Sequence, residues 1–270
     1  KSQGYTKLIG IDPAKNCYER AKTYGIQDVY CGSIDDFDLS LVSDADVVLV
    51  MAVLEHLVTP KSSIDRLVSG MKLGARLIIE VPSLALFDGI KGEPLGELSI
   101  EHLQFFSLTS LTNLMVGLNL KLVGDYEVEL PHALGALFAI FECTSNAATE
   151  FQDGSSDSVI MKKYVYDSNT KLALCFEQPI DKSIILYGAG AHSARLLPQL
   201  AERGIHVQAI VDGNPNYHGE TLGEIEIQDP MVLADMPDTP VLISSFRSEA
   251  AIKVFCTERF TNRLITFYGS

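Results

Sequence analysis

The sequence predicts an α/β chain of two successive blocks, each alternating strands and helices around a mostly parallel sheet. Three observations predict it. Short apolar runs closing on a small or acidic residue recur along the chain, most of them followed by a helical stripe. One of them, "DADVVLVMAV" (Asp44 to Val53), is too continuous for a half-exposed strand and reads as a central parallel strand covered on both faces. A polar stretch near the middle then gives way to "YGAGAHS" (Tyr187 to Ser193), a glycine turn between a strand and a helix.

The elements follow in order. "KLIGID" (Lys7 to Asp12) is a strand ending in an acid. "PAKNCYERAKTYG" is a helix, with Pro13 suited to its first turn and Gly25 to its C-terminal cap. "DVYCG" (Asp28 to Gly32) is a strand, followed by the apolar run from Asp44. In "PKSSIDRLVSGMK", Ile64, Leu67, Val68 and Met71 share one helical stripe. "GARLIIEVPS" (Gly74 to Ser83) is again a strand; a long irregular loop then carries "SIEHLQFFS" (Ser99 to Ser107) into the helix "LTSLTNLMVGLN". "LKLVGDYEVEL" and "ALFAIFECT" follow with no helix between them, which makes a β-hairpin. "SNAATEFQDGSSD" (Ser145 to Asp157) is a linker or exposed turn, and "SVIMKKYVYDSNTKLALCFEQ" a connecting helix. The second block runs strand, glycine turn and helix in "SIILYGAGAHSARLLPQLAERG", with further strands in "HVQAIVDGNP", "PVLISSF" and "RLITFYGS". The predicted divisions are 1–146, a linker and connecting helix over 147–181, and 182–270.

Bulk properties narrow the classes of partner. The 270 residues are 47% hydrophobic and 21% charged, a globular balance. A net charge of −14, with no block of Lys and Arg, argues against nucleic acid or an anionic membrane surface as partner. No apolar run approaches the roughly 18 residues that span a bilayer. The five cysteines are dispersed without a C-x-x-C pair, which reads as reduced thiols in a cytoplasm; zinc-ligand spacing is absent, and no metal site is expected.

Four features carry chemistry. Asp12 ends the first strand, where a carboxylate can accept ribose hydroxyls or simply cap the next helix. Glu55 and His56 in "VLEHL" read as strand-end polar residues facing water. Glu101 and His102 in "SIEHLQFFS" form either an acid–base pair or a solvated loop footed by Phe105 and Phe106; His102 has the ordinary imidazole pKa, about 6.5, of a base working near neutrality. Gly188 and Gly190 permit a tight turn before a helix N-terminus, and Asp212 lies 22 residues beyond Gly190 at the next strand end, while Ser193 replaces a third glycine.

The ordered series "GID", "CGSIDDF", "DVVLVMAVLEHL" and "KLGARLIIEVPS" resembles the class I S-adenosylmethionine-dependent methyltransferases from their second strand onward, over roughly Lys7 to Thr144. The terminal β-hairpin belongs to that family's usual topology. The resemblance implies S-adenosylmethionine as cofactor, with Asp12 on the ribose, Ser33 and Ile34 along the adenine, and Met51, Ala52 and Leu54 on the methionine side. "EHLQFFS" has a counterpart in sugar C-methyltransferases, which implies His102 as base, Glu101 as its partner, and a small-molecule substrate of the sugar or nucleotide-sugar kind. The family's first strand and glycine-rich turn would precede Lys7, so the chain is expected to be truncated at its N-terminus. Ser99 stands where these enzymes carry an aromatic hydroxyl.

From Lys182 onward the chain resembles the Rossmann-like C-terminal domain of sugar C-methyltransferases. Through "VDGNP", "HG" and "LGEIEI" it is also similar to the nucleotide-sugar-binding leader of some sugar acetyltransferases. The implied fold is a Rossmann-like methyltransferase domain, incomplete at its N-terminus and closed by a β-hairpin, followed by a smaller Rossmann-like α/β domain. Two other classes stay open: a nicotinamide-dependent enzyme using the glycine turn and Asp212, which lacks a recognisable Tyr-x-x-x-Lys pair, and a non-catalytic two-domain scaffold.

Overall fold

The computed structural model describes residues 7–26, 28–129, 135–146 and 150–269. The chain divides into two units, Lys1–Leu86 with Ile100–Ile160, and Phe87–Ser99 with Met161–Ser270. These limits differ from the expected ones at 146 and 182. The loop segment 87–99 is tied within the second unit by long-range contacts that no composition shift reveals: Lys171 Nζ donates to the carbonyls of Ile90 and Gly92, and the Glu97 amide to the Tyr164 hydroxyl at 2.8 Å. The leading segment Lys1 to Thr6, the hairpin tip and residues 147–149 of the expected linker lie outside the described residues.

In the first unit, β1 (Gly10–Asp12) pairs in parallel with β2 (Val29–Cys31), joined by helix α1 (Lys15–Thr23). Pro13 stands before that helix rather than in its first turn; Gly25 beyond its end takes a φ of +77°, the left-handed stop expected of it. A separate four-stranded sheet has the order β3-β4-β6-β5, with β3 (Val47–Met51) parallel to β4 (Arg76–Pro82). The hairpin strands β5 (Leu120–Val128) and β6 (Ala136–Cys143) are antiparallel, and β6 lies between β4 and β5. Helix α2 (Pro60–Ser69) starts on its proline, and α3 (Leu108–Leu114) on a capping box between Ser107 and Ser110.

Alternation within the strands sends Val50, Leu77, Ile79, Leu137, Ala139 and Phe141 into one core, sealed by Ile64 and Leu67 of α2 and Leu111 of α3. The opposite parity of β3 is open: Val47, Leu49 and Met51 are exposed, Leu49 to 61%. The continuous apolar run therefore does not mark a strand covered on both faces. Among the described residues β4 is the only strand paired with β3.

The second unit holds helix α4 (Ser155–Cys175) from Met161 onward and a six-stranded sheet. Its strands are β7 (Ser183–Tyr187), β8 (His206–Val211), β9 (Thr221–Leu222), β10 (Ile225–Gln228), β11 (Val241–Ile243) and β12 (Leu264–Thr266). Their order is β12-β11-β7-β8-β10-β9, parallel except for the short β9. The β9–β10 hairpin and helix α6 (Glu249–Arg259) are additions to the sequence reading. Ile184, Leu186, Ile210 and Leu242 pack with Leu172 of α4 and with Leu196 and Leu200 of helix α5 (Ala191–Glu202). Ile185, Tyr187, Val211 and Val241 pack with Leu233 and with Cys256 of α6. Both faces of this sheet are covered, the doubly wound arrangement.

Candidate active site

The carboxyl ends of β1, β2 and β3 carry the residues expected along a cofactor. Asp12 accepts from the Ala14 amide through Oδ1 at 2.8 Å, a turn that fixes the entry to α1; among the described residues no hydrogen bond reaches Oδ2. The amide of Gly32 donates to the Asp12 carbonyl at 3.2 Å, so the Ser33 turn follows directly beside the acid. Ser33 is held by Asp36, which accepts from its amide at 2.7 Å, and Ile34 packs on the core below. Met51 is exposed at the end of β3. Ala52 takes a φ of +50°, a strained turn for a residue with a Cβ. That turn throws the chain into a 3-10 turn at Leu54–His56. Leu54 is corrected: its side chain is fully buried in the core and offers no surface to a ligand.

His102 stands beside that 3-10 turn. The amides of Leu103 and Gln104 both donate to the carbonyl of Glu55, at 2.7 and 3.1 Å. Farther along, Phe106 is buried in the core and its carbonyl accepts from the Leu84 amide at 2.8 Å, so this residue anchors the loop. The consequence is a cluster of three side chains: Glu55, His56 and His102, whose potential donor atoms lie within 4.8 Å of one another. The two rings meet edge to face, centroids 5.1 Å apart.

Glu55 corrects the expectation of a solvated strand-end acid. It is 2% exposed, and burial pushes its carboxyl upward, opposed by its own backbone amide and by His56. Oε2 is buried without a hydrogen-bond partner. His56 Nδ1–H donates to the Glu101 carbonyl at 2.8 Å; a carbonyl only accepts, so this bond fixes the tautomer and leaves the Nε2 lone pair free. Nε2 lies 3.8 Å from Glu55 Oε1. Burial, and secondarily His56, hold the His102 pKa below its ordinary value, with the Glu101 charge opposing them. Glu101 is exposed; its carbonyl accepts from His56, and its charge raises the His102 pKa against burial. The signal for Glu55 and His56 was in the sequence: the tripeptide Glu-His-Leu occurs at 55–57 and again at 101–103.

In the second unit, Gly188, Gly190 and Asp212 line one cavity of about 490 Å³ with His192, Ser244 and Arg247. It opens where the strand order reverses between β7 and β11. Gly188 has a φ of +109°, and a Cβ there would meet the Ser244 carbonyl at 2.7 Å; a Cβ at Gly190 would meet nothing. Asp212 is already engaged, accepting from the Ala189 amide at 2.7 Å and the Asn214 amide at 2.8 Å. Ser193, in the place of the third glycine, locks the turn by donating to the Gly188 carbonyl at 2.5 Å. His192 bonds to Ser244 at 2.9 Å and to Tyr268, and burial pushes its pKa down to about 4.

No family model and no curated protein matches the chain. Solved structures do. A SAM-dependent methyltransferase from Methanosarcina mazei is 15% identical over 55% of this chain and 85% of its own, at a TM-score of 0.40. The 1,6-didemethyltoxoflavin-N1-methyltransferase of Burkholderia thailandensis, solved with S-adenosylhomocysteine, is 16% identical over 53% of this chain and 64% of its own, at 0.40. The N-methyltransferase NodS of Bradyrhizobium japonicum is 18% identical over 52% and 74%, at 0.38. At these scores the likeness assigns neither chemistry nor ligand to this chain.

Proposed function

We propose that the first unit transfers a methyl group from S-adenosylmethionine to a small metabolite, a sugar or nucleotide-sugar. The observation that carries the reading is the strand order β3-β4-β6-β5 with its antiparallel terminal hairpin, the topology implied by the resemblance. Asp12 and Ser33 at adjacent strand ends offer a carboxylate and a tight backbone turn, which suit a ribose and a base, and exposed Met51 offers an apolar wall. Ile34 and Ala52 complete the set, while Leu54 does not fit it. When bound, S-adenosylmethionine supplies an electrophilic methyl on a sulfonium.

His102 is the base of this reading. Its imidazole would take the proton from a substrate carbon beside a carbonyl, which would ready that carbon to accept a methyl group. Glu101 acts by positioning, through the carbonyl that holds His56. The second unit is read as a nucleotide-sugar domain: its cavity at the strand-order reversal, with Gly190 leaving open space, supports this. Asp212 fixes the turn beside this cavity by accepting two backbone amides.

Calorimetric titration with S-adenosylhomocysteine tests the cofactor. Binding is expected, and Asp12→Ala should weaken it by roughly 1.5–3 kcal/mol, the scale of a lost charge-assisted hydrogen bond. Equal affinity in the variant would reduce Asp12 to a helix cap, and no binding at all would remove the cofactor reading. With a nucleotide-linked keto sugar as acceptor, His102→Ala should lower turnover about 10²–10⁴-fold.

A further inference from the structure

We infer that Glu55, His56 and His102 form a binding site for a divalent transition metal ion of the zinc class. Two imidazoles and one carboxylate are a recurrent ligand set for such an ion, with a coordination position left open for water or a substrate oxygen. Their potential donor atoms already lie within 4.8 Å of one another, and His56 Nε2 is 3.8 Å from Glu55 Oε1. Bonds of about 2.0–2.2 Å to a common centre need only a modest contraction of that cluster.

Two independent features point the same way. The first is the orphaned oxygen. Glu55 is 2% exposed, and its Oε2 is buried with no hydrogen-bond donor. A buried carboxylate oxygen left bare is costly, and a cation beside it removes the cost. The second is the outer bond on His56. Metal-ligating histidines characteristically donate their other ring N–H to a carbonyl or carboxylate, which fixes ring and tautomer. His56 does this to the Glu101 carbonyl and turns Nε2 toward Glu55. The scaffold is rigid on both sides: the Leu103 and Gln104 amides clamp the His102 loop to the Glu55 carbonyl. The cysteine spacing that argued against zinc speaks only for thiolate sites, and this one contains no thiol.

The site has a consequence that rests on the functional reading above. An ion on His102 occupies the lone pair that a base needs, so metal binding and proton abstraction exclude each other, and zinc should inhibit methyl transfer until a chelator removes it. Binding itself does not depend on that reading.

The test is a calorimetric titration of chelator-stripped protein with zinc chloride, in a Cys17→Ser, Cys31→Ser background because both thiols are exposed. One zinc per chain is expected, with magnesium giving no comparable heat. His56→Ala and His102→Ala should each weaken binding at least tenfold. Glu55→Gln, which keeps the shape of the buried side chain, should do the same. Equal affinity in the histidine variants, or no zinc binding in the parent, overturns the site. Histidine-ring NMR of the parent guards against variants that fail to fold: zinc should shift His56 and His102 and leave the buried His192 in place, and an unmoved pair overturns the proposal. Zinc bound at the site without inhibition would uphold the metal and break the base assignment instead.

Discussion

The sheet of the second unit buries Ile184 and Leu186 on one face and Ile185 and Tyr187 on the other, whereas the sheet of the first buries Val50, Leu77 and Ile79 and leaves Val47, Leu49 and Met51 exposed. Both β3 and β7 are near-continuous apolar runs. The difference shows that such a run reports a strand's capacity for two-sided burial and not its burial. Coverage is supplied by other elements, and in the first unit α2 and α3 both seal the same core.

The comparison can be broken most sharply at β7. Leu186→Ala is expected to cost about 2–5 kcal/mol, since a fully buried side chain loses its transfer energy and leaves a cavity. Hydrogen exchange across β7 and β8 would read it, and unchanged protection would mean that two-sided coverage contributes little.

His192 gives the next effect. Its folded pKa of about 4 lies below the unfolded 6.5, so the unfolded chain binds the extra proton between those values. Its contribution to stability is complete above pH 6.5 and is lost as the pH falls through 4, about 3 kcal/mol in all. His192→Asn should flatten that part of the urea-unfolding pH profile for the second unit. A variant with the parental slope would assign the slope elsewhere.

The smallest effect belongs to the open face of β3. Leu49→Thr should change stability by less than about 0.5 kcal/mol, because the side chain is already 61% exposed. A loss above about 2 kcal/mol would show that this face is covered in the folded protein and would erase the contrast between the two sheets.

Much of the fold was legible from local chemistry. The strand runs, Gly25 after α1, Pro60 opening α2 and the turn at Gly188 all act within a few residues of themselves. The β9–β10 hairpin and α6 were missed: the first is short, and the second lacks a side-chain cap bond at Ser248. Among candidate ligands, Asp12, Ser33 and Met51 could be located because strand ends are local features. Leu54 could not, since only packing decides which side of a 3-10 turn faces the core.

By itself, then, the sequence determined the alternation of strands and helices, the terminal hairpin, the glycine turn and the net acidic charge. Those follow from periodicity, backbone restrictions and charge, which operate over one or two turns of chain. Only the tertiary structure decided that Phe87–Ser99 belongs with the second unit, that one sheet is open-faced, and that His102 meets Glu55 and His56. The reason is the same in each case: burial and juxtaposition depend on contacts between residues tens of positions apart, and nothing in the local chain encodes which partner arrives.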